Sequence, residues 1–251
     1  MYFKRLLLVI IFGGSAIVFV LNQLWRGPEG VETQARVFAP RITDEESVTN
    51  TNQTEQPLLP AEEGEFGQIH LLDVPYTVQA PYAKWDVYDE EACEEAALLM
   101  AYEYLKGNQY PQGIIPPADA QTELRRMIDF QVDQLGYEVT TDLFPNQLKT
   151  FIESYWSGYT ARFISDTSVL KIKQEINRGN PVVIPATAKI LNNPWYHYQD
   201  YHMLLVIGYE GDQFITNDPG TKRGEDWKYG QDLVIEAIED SGGEPLVLTK
   251  K

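Results

Sequence analysis

From Leu6 to Leu21 the chain runs sixteen residues without a charge, as Leu6-Leu-Leu-Val-Ile-Ile-Phe-Gly-Gly-Ser-Ala-Ile-Val-Phe-Val-Leu21. Extended through Asn22, Gln23 and Leu24 to Trp25, the apolar segment reaches 20 residues. As a helix that is about 30 Å, the depth of a hydrocarbon core. Lys4 and Arg5 before it keep residues 1–5 on the cytoplasmic side, and Trp25 suits the far interface. A cleaved signal peptide is the competing reading, but no Ala-x-Ala site precedes Trp25. The pattern predicts an uncleaved single-pass transmembrane anchor over 6–25 with the rest of the chain extracytoplasmic; either reading exports that remainder. Residues 26–67 show no hydrophobic period and are rich in Glu, Thr, Asn, Gln and Pro. Such a composition buries too little apolar surface to offset chain entropy, which predicts a disordered spacer.

Periodicity begins near residue 68. Ile69–Tyr76 is short and apolar, and its Val74-Pro75-Tyr76 end predicts an edge strand or extended entry. Glu90–Tyr104 predicts a helix, with Ala96, Ala97, Leu98, Met100, Ala101 and Tyr104 on a broad apolar face. Asp89, Glu90 and Glu91 crowd its start, as the helix dipole favours, and Gly107-Asn108 follow as a stop. Further helices are predicted over Asp119–Leu135, Pro145–Tyr155 and Ser168–Asn177, ended by Gly136, Gly158 and Gly179. Pro181–Pro185 reads as a short buried strand, Met203–Tyr209 as a strand apolar on both faces, and Phe214–Asn217 as its antiparallel return. Leu233–Ile238 and Pro245–Leu248 complete the pattern as a last helix and a last strand. N-terminal helices followed by antiparallel strands argue an α+β domain over 68–251, two layers meeting at a cleft.

Charge narrows the partners. The chain carries a net -17, and beyond residue 26 it holds 17 basic residues against 37 acidic. Such a surface repels phosphate backbones, so no nucleic-acid partner is expected. One Cys and three scattered His lack the spacing of a metal site, and no cofactor is expected.

A single cysteine excludes an intramolecular disulfide. In an exported domain a lone thiol is either a small buried hydrophobe or kept for its chemistry. Cys93 falls in the first turn of the first long helix, where the dipole favours thiolate; Glu90, Glu91, Glu94 and Glu95 oppose that and call for an imidazolium partner. Of the histidines, His70 is expected exposed near the spacer and His197 packed in an aromatic loop. His202 opens the buried strand at its mouth, where a base can meet a groove. Suppose Glu210, Gly211 and Asp212 form the hairpin loop, leaving Tyr209 opposite Gln213. Leu204 then faces Asp218, and His202 lies diagonal to Asp218 on one face, about 7–8 Å away by backbone. Asn217 points to the other face, and a one-residue slip would exchange the two. Gln79 could donate to an oxyanion beside the Cys93 amide; a surface Gln is the plain alternative.

Leu72-Asp-Val-Pro-Tyr-Thr-Val-Gln79, Ala92-Cys-Glu-Glu-Ala-Ala97, Tyr201-His-Met-Leu-Leu-Val-Ile-Gly-Tyr209 and Asn217-Asp-Pro219 follow one another in the chain. In that order they resemble the bacteriocin-processing, double-glycine leader peptidase-like cysteine peptidases over about residues 69–250. The resemblance implies a papain-like fold with Cys93 as nucleophile, His202 as base, Asp218 as its orienting acid and Gln79 at the oxyanion hole. It implies a cysteine peptidase acting on a peptide or cell-envelope substrate. Alternatives are a binding module that retains the fold, or an acyl transferase or cell-wall amidase using the same residues. No transporter domain is attached, so leader processing is not implied. The Glu94 side chain beside the nucleophile is expected to narrow the groove or change the thiol's charge environment.

Overall fold

A computed structural model describes residues 67–196 and 200–251. The anchor expected over 6–25, all but the end of the spacer and His197 lie outside the described residues. Among the described residues no helix is long and apolar enough to cross a membrane.

Among the described residues seven strands form one antiparallel sheet. In chain order they are β1 (Ile69–Leu71), β2 (Tyr159–Phe163), β3 (Val182–Thr187), β4 (Tyr201–Glu210), β5 (Gln213–Asn217), β6 (Trp227–Gly230) and β7 (Leu246–Lys250). Their spatial order is β2-β7-β3-β4-β5-β6, with β1 paired to the end of β4 at Gly208–Glu210. β1 approaches so closely that a Cβ on Gly208 would stand 2.4 Å from the His70 carbonyl, so only glycine fits there. β4 is buried from His202 through Tyr209, as a strand covered on both faces must be.

The helices are α1 (Val87–Glu91), α2 (Cys93–Lys106), α3 (Pro117–Phe130), α4 (Pro145–Tyr155), α5 (Val169–Asn177), α6 (Ala188–Leu191) and α7 (Gln231–Ser241). α2 packs on β4 and α7 on β3. The helix expected from Glu90 to Tyr104 is broken at Ala92, whose φ -89 and ψ 23 leave the helical basin. Asp86 caps α1 by accepting from the amides of Tyr88 and Asp89, so a separate short helix precedes α2. Cys93 thereby becomes the first residue of α2 rather than the fourth of a longer helix. α3 runs on as a π-helical turn, Gln131–Leu135, ended by Gly136 at φ 72.

Two strands went unpredicted. β2 and β6 are the sheet's two outermost members, with Thr160, Arg162 and Lys228 among their few residues. Edge strands that mix polar residues into so short a run lose the apolar signal that marked β4. The strict order of helices first and strands later is also relaxed, since β2 separates α4 from α5.

Candidate active site

A cavity of about 670 Å³ opens between the start of α2 and the mouth of β4. Gln79, Cys93, Glu94 and His202 all line it. Their convergence depends on the break at Ala92, which sets Cys93 at N1 of α2, and on β4 starting at Tyr201. The backbone amide of Met203, next to His202, lies against the Cys93 sulfur and favours its thiolate form.

His202 is fully buried, and its Nε2 meets Asp218 Oδ1 at 2.9 Å. The expected register reached this pairing by a different route. The turn holds two residues, Gly211-Asp212, between the paired Glu210 and Gln213, with Gly211 at φ 57 as a primed turn favours. Near the turn the pairing is therefore one residue off the expected one. A bulge between Val206 and Gly208 takes up the difference, so Leu205 faces Asn217 and the strand mouths realign. Asn217 points away from the histidine: its amide donates to the Val74 carbonyl at 3.2 Å and its Oδ1 accepts from the Asp226 amide.

Asp218 is surrounded by donors. Oδ1 also accepts the Gly220 amide at 3.0 Å, and Oδ2 accepts the hydroxyls of Tyr196 at 2.5 Å and Tyr229 at 2.6 Å, with Asn193 Nδ2 at 3.4 Å. Burial alone would raise its pKa; the facing His202 and the tyrosine hydroxyls outweigh that and hold it below the usual carboxylate value. The backbone is pinned as well. Asp218 donates its amide to the Gly224 carbonyl at 2.9 Å, and Tyr76 donates its hydroxyl to the Asp218 carbonyl at 3.1 Å. A Cβ on Gly224 would stand 1.8 Å from that carbonyl, so glycine is obligatory there. Tyr196 also presents its ring edge to His202, with centroids 5.1 Å apart.

The sulfur side differs. Cys93 Sγ donates to Glu94 Oε2 at 3.0 Å, and Glu94 Oε1 accepts the Leu143 amide at 3.0 Å. Glu95 Oε1 accepts from Gln131 Nε2 at 2.5 Å, while its Oε2 has no partner. Burial and the Glu95 charge push Glu94 up to about 8; burial, with the Glu91 charge, pushes Glu95 up to about 7. Burial, then the Glu94 charge and hydrogen bond, then Glu95, push the Cys93 thiol well above its usual value, and the Met203 amide offsets only part. The dipole argument for a resting thiolate therefore loses to desolvation and to the acidic neighbours.

Gln79 is buried and lines the cavity, and is no surface glutamine. Its Nε2 donates to the carbonyls of Asp89 and Glu90, both at 3.0 Å, and its Oε1 is unpartnered. His70 is half-buried in β1 and stacks on Tyr209 at 6.0 Å, rather than exposed, and it is not among the cavity's lining residues. Tyr196, Tyr229, Asn193 and Gly224 were not singled out from the sequence. Only the Asn217-Asp-Pro219 motif pointed to the loop that they support.

The sequence profile of the Peptidase_C39 like family matches residues 71–240. None of the curated proteins compared matches the chain. Among solved structures, a protein described as a C39-like peptidase from Bacillus anthracis superposes with a TM-score of 0.51 at 15% identity, covering 74% of this chain and 99% of that one. Digestive procathepsin L 3 of Tenebrio molitor larval midgut gives 0.46 at 11% identity, over 76% of this chain and 73% of that one. With more than half of its length matched by the family profile, and an α+β fold shared with a C39-like peptidase, this chain belongs to the Peptidase_C39 like family.

Proposed function

We propose that this protein hydrolyses peptide or amide bonds as a papain-like thiol peptidase, with Cys93 as nucleophile, His202 as base and Asp218 as the acid that orients the base. The observation that carries this reading is the His202–Asp218 bond at 2.9 Å in a fully buried pair whose histidine shares a cavity with Cys93. Nε2 is committed to Asp218, so Nδ1 is the nitrogen that takes the thiol proton. As the sulfur bonds to the substrate carbonyl carbon, His202 receives the proton and later delivers it to the leaving amine. Water then releases the acyl group from Cys93. First-turn amides of α2 have no acceptor within their own helix, and with the Gln79 carboxamide they would hold the oxyanion. Gln79 must turn its Nε2 from the α1 carbonyls to do so. Among the described residues the cavity walls carry Glu90, Glu91, Asp142 and Asp200 and no Lys or Arg, which favours substrates bearing positive charge. The apolar run at 6–25 supports an extracytoplasmic, membrane-held domain.

Cys93→Ala is expected to lower hydrolysis of a responsive basic peptide by more than roughly a thousandfold. Labelling by a thiol-directed amide electrophile should vanish in Cys93→Ala and slow sharply in His202→Ala. Undiminished hydrolysis by Cys93→Ala sinks the assignment. A second reading, a binding module on the same fold, is favoured by the Cys93 thiol donating to Glu94 and being held neutral. It predicts full peptide binding with neither acyl-enzyme nor turnover.

A further inference from the structure

Glu94 is the group of the cavity that the mechanism above leaves unused. Glu94 is 2% exposed, and both of its carboxyl oxygens are fixed by neighbours of different kinds. Oε1 takes the Leu143 amide at 3.0 Å, and the Leu143 carbonyl in turn accepts the Tyr201 hydroxyl at 3.3 Å. Leu143 is thus tied to β4, and with it the carboxyl. Oε2 is left facing the Cys93 sulfur at 3.0 Å. An amide hydrogen bond on Oε1 makes that oxygen the carbonyl-like one, so a proton on this carboxyl belongs on Oε2, pointing at the sulfur.

We infer that Glu94 is a proton-carrying partner of the nucleophile, which permits reaction while its carboxyl is protonated and arrests it once the carboxyl is ionised. This rests on the reading of Cys93 as nucleophile. In the protonated state, Oε2–H donates to the thiolate that forms when His202 takes the thiol proton; the sulfur then attacks the carbonyl carbon. Glu94 keeps its own proton throughout, and no electrons leave the site. In the ionised state, Oε2 accepts the S–H and holds the thiol neutral, and loss of the thiol proton would set two negative charges side by side.

Among the described residues that line the cavity, no Lys or Arg relieves the ionised state. α2 contributes Cys93 and Glu95, and β4 contributes Tyr201 and His202. Glu91 of α1 and Asp142 of the segment before α4 share the cavity. Glu95 is itself hydrogen-bonded to Gln131 of the π-helical turn. Among the described lining residues His202 is the one group able to carry positive charge, and its Nε2 already faces Asp218. Burial and Glu95 push Glu94 up to about 8, which sets the changeover in the mildly alkaline range.

The test measures alkylation of Cys93 by iodoacetamide from about pH 5 to about pH 10 in the wild type, Glu94→Gln and Glu95→Gln. Alkylation reads the thiol alone, so a chain that proves unable to cleave peptides still gives an answer. The wild-type rate is expected to stall or fall through about pH 8, where an ordinary thiol speeds up. Glu94→Gln places an amide donor at the sulfur, as the protonated acid does. It should rise without a stall and exceed the wild type by about tenfold or more at pH near 9. Glu95→Gln should retain the stall. Profiles of wild type and Glu94→Gln that coincide overturn the inference. Should Glu94→Gln fail to fold, carboxyl carbon NMR of the glutamate-labelled wild type decides. One glutamate is expected to titrate near 8, and its midpoint should move up in Cys93→Ala, which loses the S–H donor. A spectrum with no such glutamate, or a midpoint indifferent to Cys93→Ala, overturns it.

Discussion

Asp218 and Glu94 are both carboxyl side chains sealed from water beside the same candidate reacting pair, yet their surroundings push them in opposite directions. Asp218 has an imidazole, two tyrosine hydroxyls, an amide side chain and a backbone amide around two oxygens, and its pKa falls below the usual value. Glu94 has one backbone amide and a weak thiol donor, with a second buried glutamate next to it, and its pKa rises to about 8. Burial is common to both and raises both. The difference lies in how many donors the fold brings to each, and whether a cation can form nearby. One side of the site is thereby built to keep a charge and the other to keep a proton.

Removing the charge-keeping side altogether has the largest expected effect. In Asp218→Ala the hydroxyls of Tyr196 and Tyr229, the Gly220 amide and His202 all lose their shared acceptor inside the protein. Breaking a buried pair of this kind costs roughly 3–5 kcal/mol of stability, read from urea denaturation. Turnover should fall by about a thousandfold or more, because the imidazole loses the partner that fixes its tautomer. If stability drops by less than about 1 kcal/mol, the donors around Asp218 are finding water and the contrast with Glu94 is weaker than drawn.

The same side can be displaced without being deleted. Gly224→Ala puts a Cβ against the Asp218 carbonyl at 1.8 Å, so the loop must move. A shift of about an ångström in an orienting group lowers turnover by roughly a hundredfold. Alkylation of Cys93 at mildly acid pH should change far less, since the sulfur and Glu94 sit on α2. Equal loss of both readouts would mean that the two sides are not separable.

This asymmetry was only half legible in the sequence. The pairing of His202 with Asp218 followed from counting along two strands, although the count assumed a three-residue loop and no bulge. The bulge at Ile207 cancels the error of the two-residue turn. The thiol at a helix start was also readable, because Asp89, Glu90 and Glu91 mark a helix start near Cys93. The break at Ala92 left no mark, since alanine favours helix and only tertiary packing stops it there. Tyr196, Tyr229 and Asn193 come from an irregular loop and an edge strand. Their convergence on Asp218 depends on contacts across tens of residues that no local period encodes. Glu94 and Glu95 were readable as acids opposing the thiolate, and Glu94 as a side chain at the groove, but their burial was not. That they are buried follows from the 137–144 segment and the π-helical turn closing over them, by way of Leu143 and Gln131.

The smallest expected effect is also the one that tests both sides at once, because their pH dependences have opposite signs. Asp218 has a folded pKa below its unfolded value; its contribution is present above about pH 4 and is lost as acid protonates it. Glu94 and Glu95 have folded values of about 8 and about 7, above their unfolded value; their protonated forms favour the folded state in mild acid, and that contribution disappears as pH rises through those values. Stability measured in urea should therefore peak in mild acid and decline on both flanks. Glu95→Gln keeps an oxygen for the Gln131 amide and cannot ionise, so it should match the wild type near pH 5 and exceed it near pH 9 by about 1–3 kcal/mol. If the wild type loses nothing between those two pH values, the glutamates are ionised at little cost in the folded chain. Water or an unseen cation would then be reaching the helix start, and the proton-keeping side would be no different in kind from Asp218.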